Sequence, residues 1–150
     1  MEQSESAGME KALGEALRAR EEDEVPVGAC IMQGDYVIAL GHNRREKKQD
    51  VTAHAEMEAI REACRHLGSW RLEGCVLYVT LEPCLMCAGA ILQARLKKVC
   101  YGAQDPKAGA AGSVIDVFSE KLFNHIVEIE GGICEERCRQ ILREYFKIKR

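Results

Sequence analysis

Two short segments carry side chains that could do chemistry together: His54-Ala55-Glu56 and Pro83-Cys84-Leu85-Met86-Cys87. A catalytic zinc site takes three protein ligands, with His nitrogen and Cys thiolate among the preferred ones, and leaves the fourth position for water. His54, Cys84 and Cys87 supply three. Cysteines three residues apart lie on one face of a helical turn, so both sulfurs can reach one ion, and a helix N-terminus favours their ionised form. Glu56 is about 200° from His54 around a regular helix, so the two share a pocket only if they occupy the first turn. There a carboxylate can take the proton from a metal-bound water and deliver it to a leaving group. Ligand softness makes zinc the expected ion, one per chain.

The other cysteines and histidines weigh less. A closed structural site made from Cys84, Cys87, Cys134 and Cys138 competes with the catalytic arrangement. Yet Cys134 and Cys138 fall on the apolar stripe of a terminal helix, where free cysteine packs as a small hydrophobe. Cys30, Cys64, Cys75 and Cys100 read as buried thiols in strands or on a helix face. His42, His66 and His125 have no cysteine or carboxylate partner at useful spacing and read as surface or internally satisfied groups.

The elements that must position these residues follow from periodicity. Met9, Ala12, Leu13, Ala16 and Leu17 form one stripe of a helix over about residues 3 to 22. VGACIMQ and YVIALGHN flank Gly34-Asp35 as a β-hairpin, and a polar loop runs from Asn43 to about Val51. Ala59, Ile60, Ala63, Cys64 and Leu67 mark a second helix that begins near His54, with Thr52 or a neighbour as its N-cap. CVLYVTL (75 to 81) reads as a strand covered on both faces, and Pro83 suits the first turn of the helix after it. Strands are expected at 97 to 103 and 126 to 132, and a last helix on the stripe Cys134, Cys138, Ile141, Leu142 and Tyr145. The sum is an α/β fold: a three-layer α/β/α sandwich on a mixed central sheet of about five strands.

A length of 150 residues predicts one domain, 1–150. Hydrophobic residues at 47 % and charged residues at 30 % exclude a disordered, collagenous or coiled-coil chain. No apolar run approaches the ~20 residues of a membrane span, and the acidic start offers no signal-peptide core. No membrane association and a cytoplasmic location are expected, where eight cysteines stay reduced. The net charge of −3 conceals an acidic N-terminal segment and basic clusters at Arg44, Arg45, Lys47 and Lys48, at Arg95, Lys97 and Lys98, and at Lys147, Lys149 and Arg150. Each alone reads as a solvated surface; together they allow a phosphate-binding patch.

H-x-E followed by P-C-x-x-C is the zinc deaminase signature. The chain resembles the bacterial tRNA-specific adenosine deaminase family over nearly its whole length. The resemblance rests on VPVGA (25 to 29), GHNR (41 to 44), TAHAEMEAIR (52 to 61), LYVTLEPCLMCAGAI (77 to 91), YGAQDPKAGAAGS (101 to 113), Asn124-His125 and the tail ILREYFKIKR. The DPKAGAAGS loop and the aromatic-basic tail separate it from guanine, cytosine and deoxycytidylate deaminases, which share the zinc segments.

The resemblance implies a cytidine deaminase-like fold, a homodimer, and hydrolytic deamination of the wobble adenosine in the anticodon stem-loop of tRNA-Arg to inosine. Attack falls on C6 of the purine, Glu56 shuttles the proton and ammonia leaves. By the same resemblance Asn43 holds the target nucleotide and the backbone N–H of Ala55 orients the base. Asp105 and Lys107 contact the neighbouring nucleotide backbone, and Phe146 lies beside the loop. The sequence departs from the family pattern at Val51, where proline is common, and at Ile126, where a basic residue is common. A free-base or nucleotide deaminase, guanine being the first substrate to consider, and a non-catalytic zinc or RNA-binding module are the alternatives.

Overall fold

The computed structural model describes residues 3–119 and 123–149, which leaves Arg150 of the last basic cluster outside the described residues. The first apolar stripe forms α1 (Gln3–Glu21), with Met9, Ala12, Leu13 and Ala16 buried. The hairpin is β1 (Gly28–Gln33) and β2 (Tyr36–His42), turned at Gly34 with φ +60°. The expected polar loop contains one short helix, α2 (Arg45–Lys48), closed by Gln49 in the left-handed region. Then follow α3 (Ala55–Leu67), β3 (Cys75–Leu81), α4 (Leu85–Gln93), β4 (Lys98–Ala103), β5 (Glu128–Glu130) and α5 (Glu135–Lys149).

The five strands form one sheet in the order β2-β1-β3-β4-β5. β1 runs antiparallel to β2 and β3, whereas β3, β4 and β5 are parallel, so the sheet is mixed as expected. Side chains alternate across it. Ala29, Ile31, Leu77, Val79, Val99 and Tyr101 pack with Ala59, Ile60 and Ala63 of α3 and with Ile91 of α4. Cys30, Met32, Tyr78 and Cys100 face the opposite way and pack with Met9 and Leu13 of α1 and with Cys138 of α5. These are the two outer layers. β3, at the centre, contributes to both cores, which is why its sequence is continuously apolar.

The N-cap of α3 is His54, a neighbour of Thr52 as the expectation allowed; Thr52 Oγ1 donates to Asp50 Oδ1 at 2.7 Å, because the Asp50 carboxylate completes a turn ahead of the helix. Three local expectations change. Cys134 precedes α5 with φ +52° rather than starting its stripe, and its carbonyl accepts the Cys138 N–H at 3.1 Å. β5 is shorter than 126 to 132: Ile126 is 85 % exposed, and beyond Glu130 the chain stays against β4 outside the strand, Gly132 N donating to Gly102 O at 3.2 Å and Ile133 N to Tyr101 O at 3.1 Å. His42 also has carboxylate partners, Glu15 and Glu22.

Candidate active site

The site forms where two helices begin side by side. His54 and Cys84 are the N-caps of α3 and α4, both in extended conformation and neither making a side-chain cap hydrogen bond. Their side chains turn instead toward each other. His54 Nδ1 lies 3.6 Å from Cys84 Sγ and 3.6 Å from Cys87 Sγ, and the three ligand atoms all fall within 4.8 Å of one another. A tetrahedral zinc with Zn–S about 2.3 Å and Zn–N about 2.0 Å places such nitrogen and sulfur atoms about 3.5 Å apart. The donor set and its spacing therefore fit zinc. Among the described residues this is the one group of three His, Cys, Asp or Glu side chains so placed, and Cys134 and Cys138 are not part of it.

Burial and proximity set the ionisation of these groups. A hydrogen bond from Cys87 and another from His54 outweigh desolvation and hold the Cys84 thiol down to about 4. The Cys87 thiol is driven up by its bond to Cys84 and by burial, and His54 is raised by Cys84. These influences favour ionisation at Cys84 and oppose it at Cys87, and a cation arriving at the site would favour the thiolate at both. Glu56 is the second residue of α3, so the first-turn condition on its sharing a pocket with His54 is met. Its carboxyl is buried, and desolvation pushes it up to about 7, with the Cys84 charge acting in the same direction. A cation on the neighbouring ligands would act oppositely and favour the carboxylate.

An open cavity of about 220 Å³ lies over this group. Asn43, Ala55, Glu56 and Asp105 line it, with Val25, Val27 and Leu81 as apolar wall; Lys107 and Phe146 lie outside it. Asn43 Nδ2 donates to Val25 O at 3.2 Å, and Asn43 Oδ1 accepts from Arg45 N at 3.1 Å. Asp105 Oδ1 accepts from Lys107 N at 3.0 Å and Ala108 N at 3.2 Å, leaving the Lys107 side chain on an exposed turn. Phe146 is partly exposed on α5 and packs edge-on against Tyr145.

Two acids that sequence reasoning passed over hold segments around the cavity: Glu82 lines it, and Glu24 caps α2, whose Arg45 lines it. Glu24 is buried, and its two oxygens accept from Glu46 N at 3.0 Å and Lys47 N at 2.7 Å, capping α2 from a distant segment. Glu82 is 2 % exposed and accepts backbone bonds from Asp105, Ala111 and Ser113. Burial raises its carboxyl, but the Ser113 hydroxyl and these amides outweigh that and leave it below the usual value. A signal existed in each case: an acid standing beside apolar residues where a strand is about to begin or has just ended, in EVPVGA and VTLEPC. His42, expected to be without a carboxylate partner, lies between Glu15 Oε1 and Glu22 Oε1, each at 3.1 Å. Separations of 27 and 20 residues hid the contact, and the imidazole is an internally satisfied group that ties α1 to β2.

The basic clusters are largely paired. Lys47 meets Glu22, Lys48 meets Glu58, Lys98 meets Glu128 and Glu130, and Lys149 meets Asp23. Among the described residues, no helix is long and apolar enough to cross a membrane.

Residues 3–150 match the family model of MafB19-like deaminases. A tRNA-specific adenosine deaminase of Bacillus subtilis is 49 % identical over 139 residues, covering 93 % of this chain and 86 % of the relative. A solved structure from studies of A-to-I editing by tRNA:A34 deaminases at the wobble position superposes with a TM-score of 0.87. It shows 49 % identity and covers 91 % of this chain and 99 % of that one. A guanine deaminase structure from Bacillus subtilis superposes with a TM-score of 0.64 at 40 % identity, covering 69 % of this chain and 66 % of its own.

Proposed function

Because this chain belongs to the tRNA-specific adenosine deaminase family, we propose that it converts the wobble adenosine of a tRNA anticodon loop, that of tRNA-Arg first, to inosine with release of ammonia. The observation that carries this reading is the pair of 3.6 Å approaches of His54 Nδ1 to two cysteine sulfurs beside a buried carboxyl. His54, Cys84 and Cys87 would hold the zinc ion, which would supply Lewis acidity and lower the pKa of a water bound to it.

Glu56 does the proton work. Buried at the floor of the cavity, it takes a proton from the attacking water and hands it to the exocyclic nitrogen, so that oxygen replaces nitrogen on C6 and ammonia leaves. The Ala55 N–H, in the first turn of α3, has no partner within its own helix and is free to orient the base. Asn43 holds the nucleotide from the opposite wall once its amide exchanges Val25 O for substrate. Asp105 and Lys107 meet the adjoining nucleotide backbone, with Phe146 beside it. An anticodon loop is already single-stranded, so turning one base into the cavity costs less than from a duplex. The acting form is a homodimer in the cytoplasm, the dimer being checked by sedimentation.

The test is sequencing of tRNA-Arg carrying a wobble adenosine before and after exposure to the zinc-loaded protein, beside guanine, cytidine and adenosine. Inosine at the wobble position is expected. The guanine deaminase resemblance supplies the competing reading, and guanine turnover without inosine in tRNA would establish it. Glu56→Ala should retain zinc and stem-loop binding while losing turnover; retention of full rate refutes the assigned role, and turnover by the parent excludes a non-catalytic module.

A further inference from the structure

Glu82 sits at the junction of the two parts of the site. Its backbone closes the end of β3, with Glu82 N donating to Ala103 O at 2.8 Å, and Pro83 alone separates it from Cys84. Its side chain reaches the other way. Oε1 accepts from Asp105 N at 3.0 Å and from the Ser113 hydroxyl; Oε2 accepts from Ala111 N at 2.9 Å and Ser113 N at 3.1 Å. A carboxylate offers about four acceptor positions, and all of them are used by donors from one loop. No Lys or Arg is paired with Glu82 among the described residues, so loop amides and a hydroxyl balance the buried charge.

The loop is fitted to this carboxylate. A Cβ on Gly109 would lie 2.4 Å from the Glu82 carboxyl carbon and 2.5 Å from both oxygens, so glycine lets the chain wrap closely. Ala110 N also donates to Pro83 O at 2.9 Å. The same loop carries Asp105 and Ala108 into the cavity wall. We propose that Glu82 is a positioning residue: its carboxylate anchors the 105–113 loop to the start of the Cys84 helix and so sets the wall against which the substrate nucleotide is held. The proposal rests on the functional reading above and deepens it. A glutamine at this position presents an N–H₂ where an acceptor is needed, so at least one loop donor faces another donor and the wall loosens.

Glu82→Gln, Gly109→Ala and the milder Ser113→Ala are compared with the parent by amide hydrogen exchange, zinc content and steady-state kinetics on an anticodon stem-loop. Exchange at Asp105, Ala111 and Ser113 should accelerate at least tenfold in Glu82→Gln, with zinc retained. KM should rise about tenfold and kcat change by less than threefold. Ser113→Ala should shift the same quantities by a few-fold, which keeps the test alive if the glutamine variant folds poorly. A fall in the folded fraction alone would lower kcat and leave KM unchanged; that result, or unchanged exchange in the loop, overturns the proposal. Should the parent make no inosine, the functional reading is what fails; the exchange data still decide the anchoring, and the claim about the substrate wall falls with that reading.

Discussion

Gly41→Ala is a one-methyl test of how closely α3 must approach the sheet. A Cβ at Gly41 would stand 2.5 Å from Ala55 O, 2.6 Å from Ala59 N and 3.0 Å from Glu58 Cβ. Two of those atoms are helix backbone and cannot rotate away. Ordinary contact begins near 3.4 Å, so the start of α3 must retreat by about 0.9 Å from β2. Overpacking of that kind costs about 1–3 kcal/mol of stability. The functional cost is larger, because the displaced turn carries His54 and Glu56 while Cys84 and Cys87 stay on α4. Widening a 3.6 Å His54–sulfur approach by that retreat takes the nitrogen beyond tetrahedral reach of an ion held by both thiolates. A misplacement of roughly 1 Å can cost about 10²-fold in rate. Urea unfolding, zinc stoichiometry after dialysis and kcat/KM for inosine formation measure the three effects. Gly14→Ala, where a Cβ meets nothing within 4 Å on α1, is the control and should stabilise by about 0.5–1 kcal/mol. A Gly41→Ala protein with parental zinc content and a rate within twofold of the parent refutes the reasoning.

Other expectations are separable from this one. Leu77→Ala, fully buried in central β3, should lower unfolding free energy by about 2–5 kcal/mol in urea titration. Burial pushes the Cys30 and Cys138 thiols up to about 12 from an unfolded value near 9.0. A folded value above the unfolded one stabilises fully below pH 9.0 and loses that contribution as pH rises toward 12. Each thiol therefore adds a slope of about 1.4 kcal/mol per pH unit in that interval, and the stability curve of Cys138→Ala should be shallower there than the parent's; parallel curves would contradict it. Stem-loop affinity should fall as salt rises. Lys107→Ala should reduce that slope by about 0.7 if the side chain meets one phosphate, whereas Lys98→Ala, already paired with Glu128 and Glu130, should leave it unchanged.

Local chemistry made much of this protein legible from its chain. The apolar stripe of α1, the Gly34 hairpin turn and the two-faced run of β3 depend on side-chain period and turn chemistry, which act over a few residues. The ligand set was readable for the same reason: H-x-E and P-C-x-x-C each fit within one helix start. What remained hidden was contact between distant segments. Local sequence marked Glu82 only as an acid at the end of an apolar strand; its partners were not readable, because the amides that satisfy it lie 23 to 31 residues further on. His42 looked unpartnered because Glu15 and Glu22 belong to a different layer, and several bases read as a possible phosphate patch are paired with carboxylates from other elements. The 3.6 Å meeting of one imidazole with two sulfurs also required the sheet to lay two helix starts side by side. Sequence specifies which groups are available, whereas burial and long-range packing decide which of them meet, since electrostatics and hydrogen bonding depend on distance in space and not along the chain.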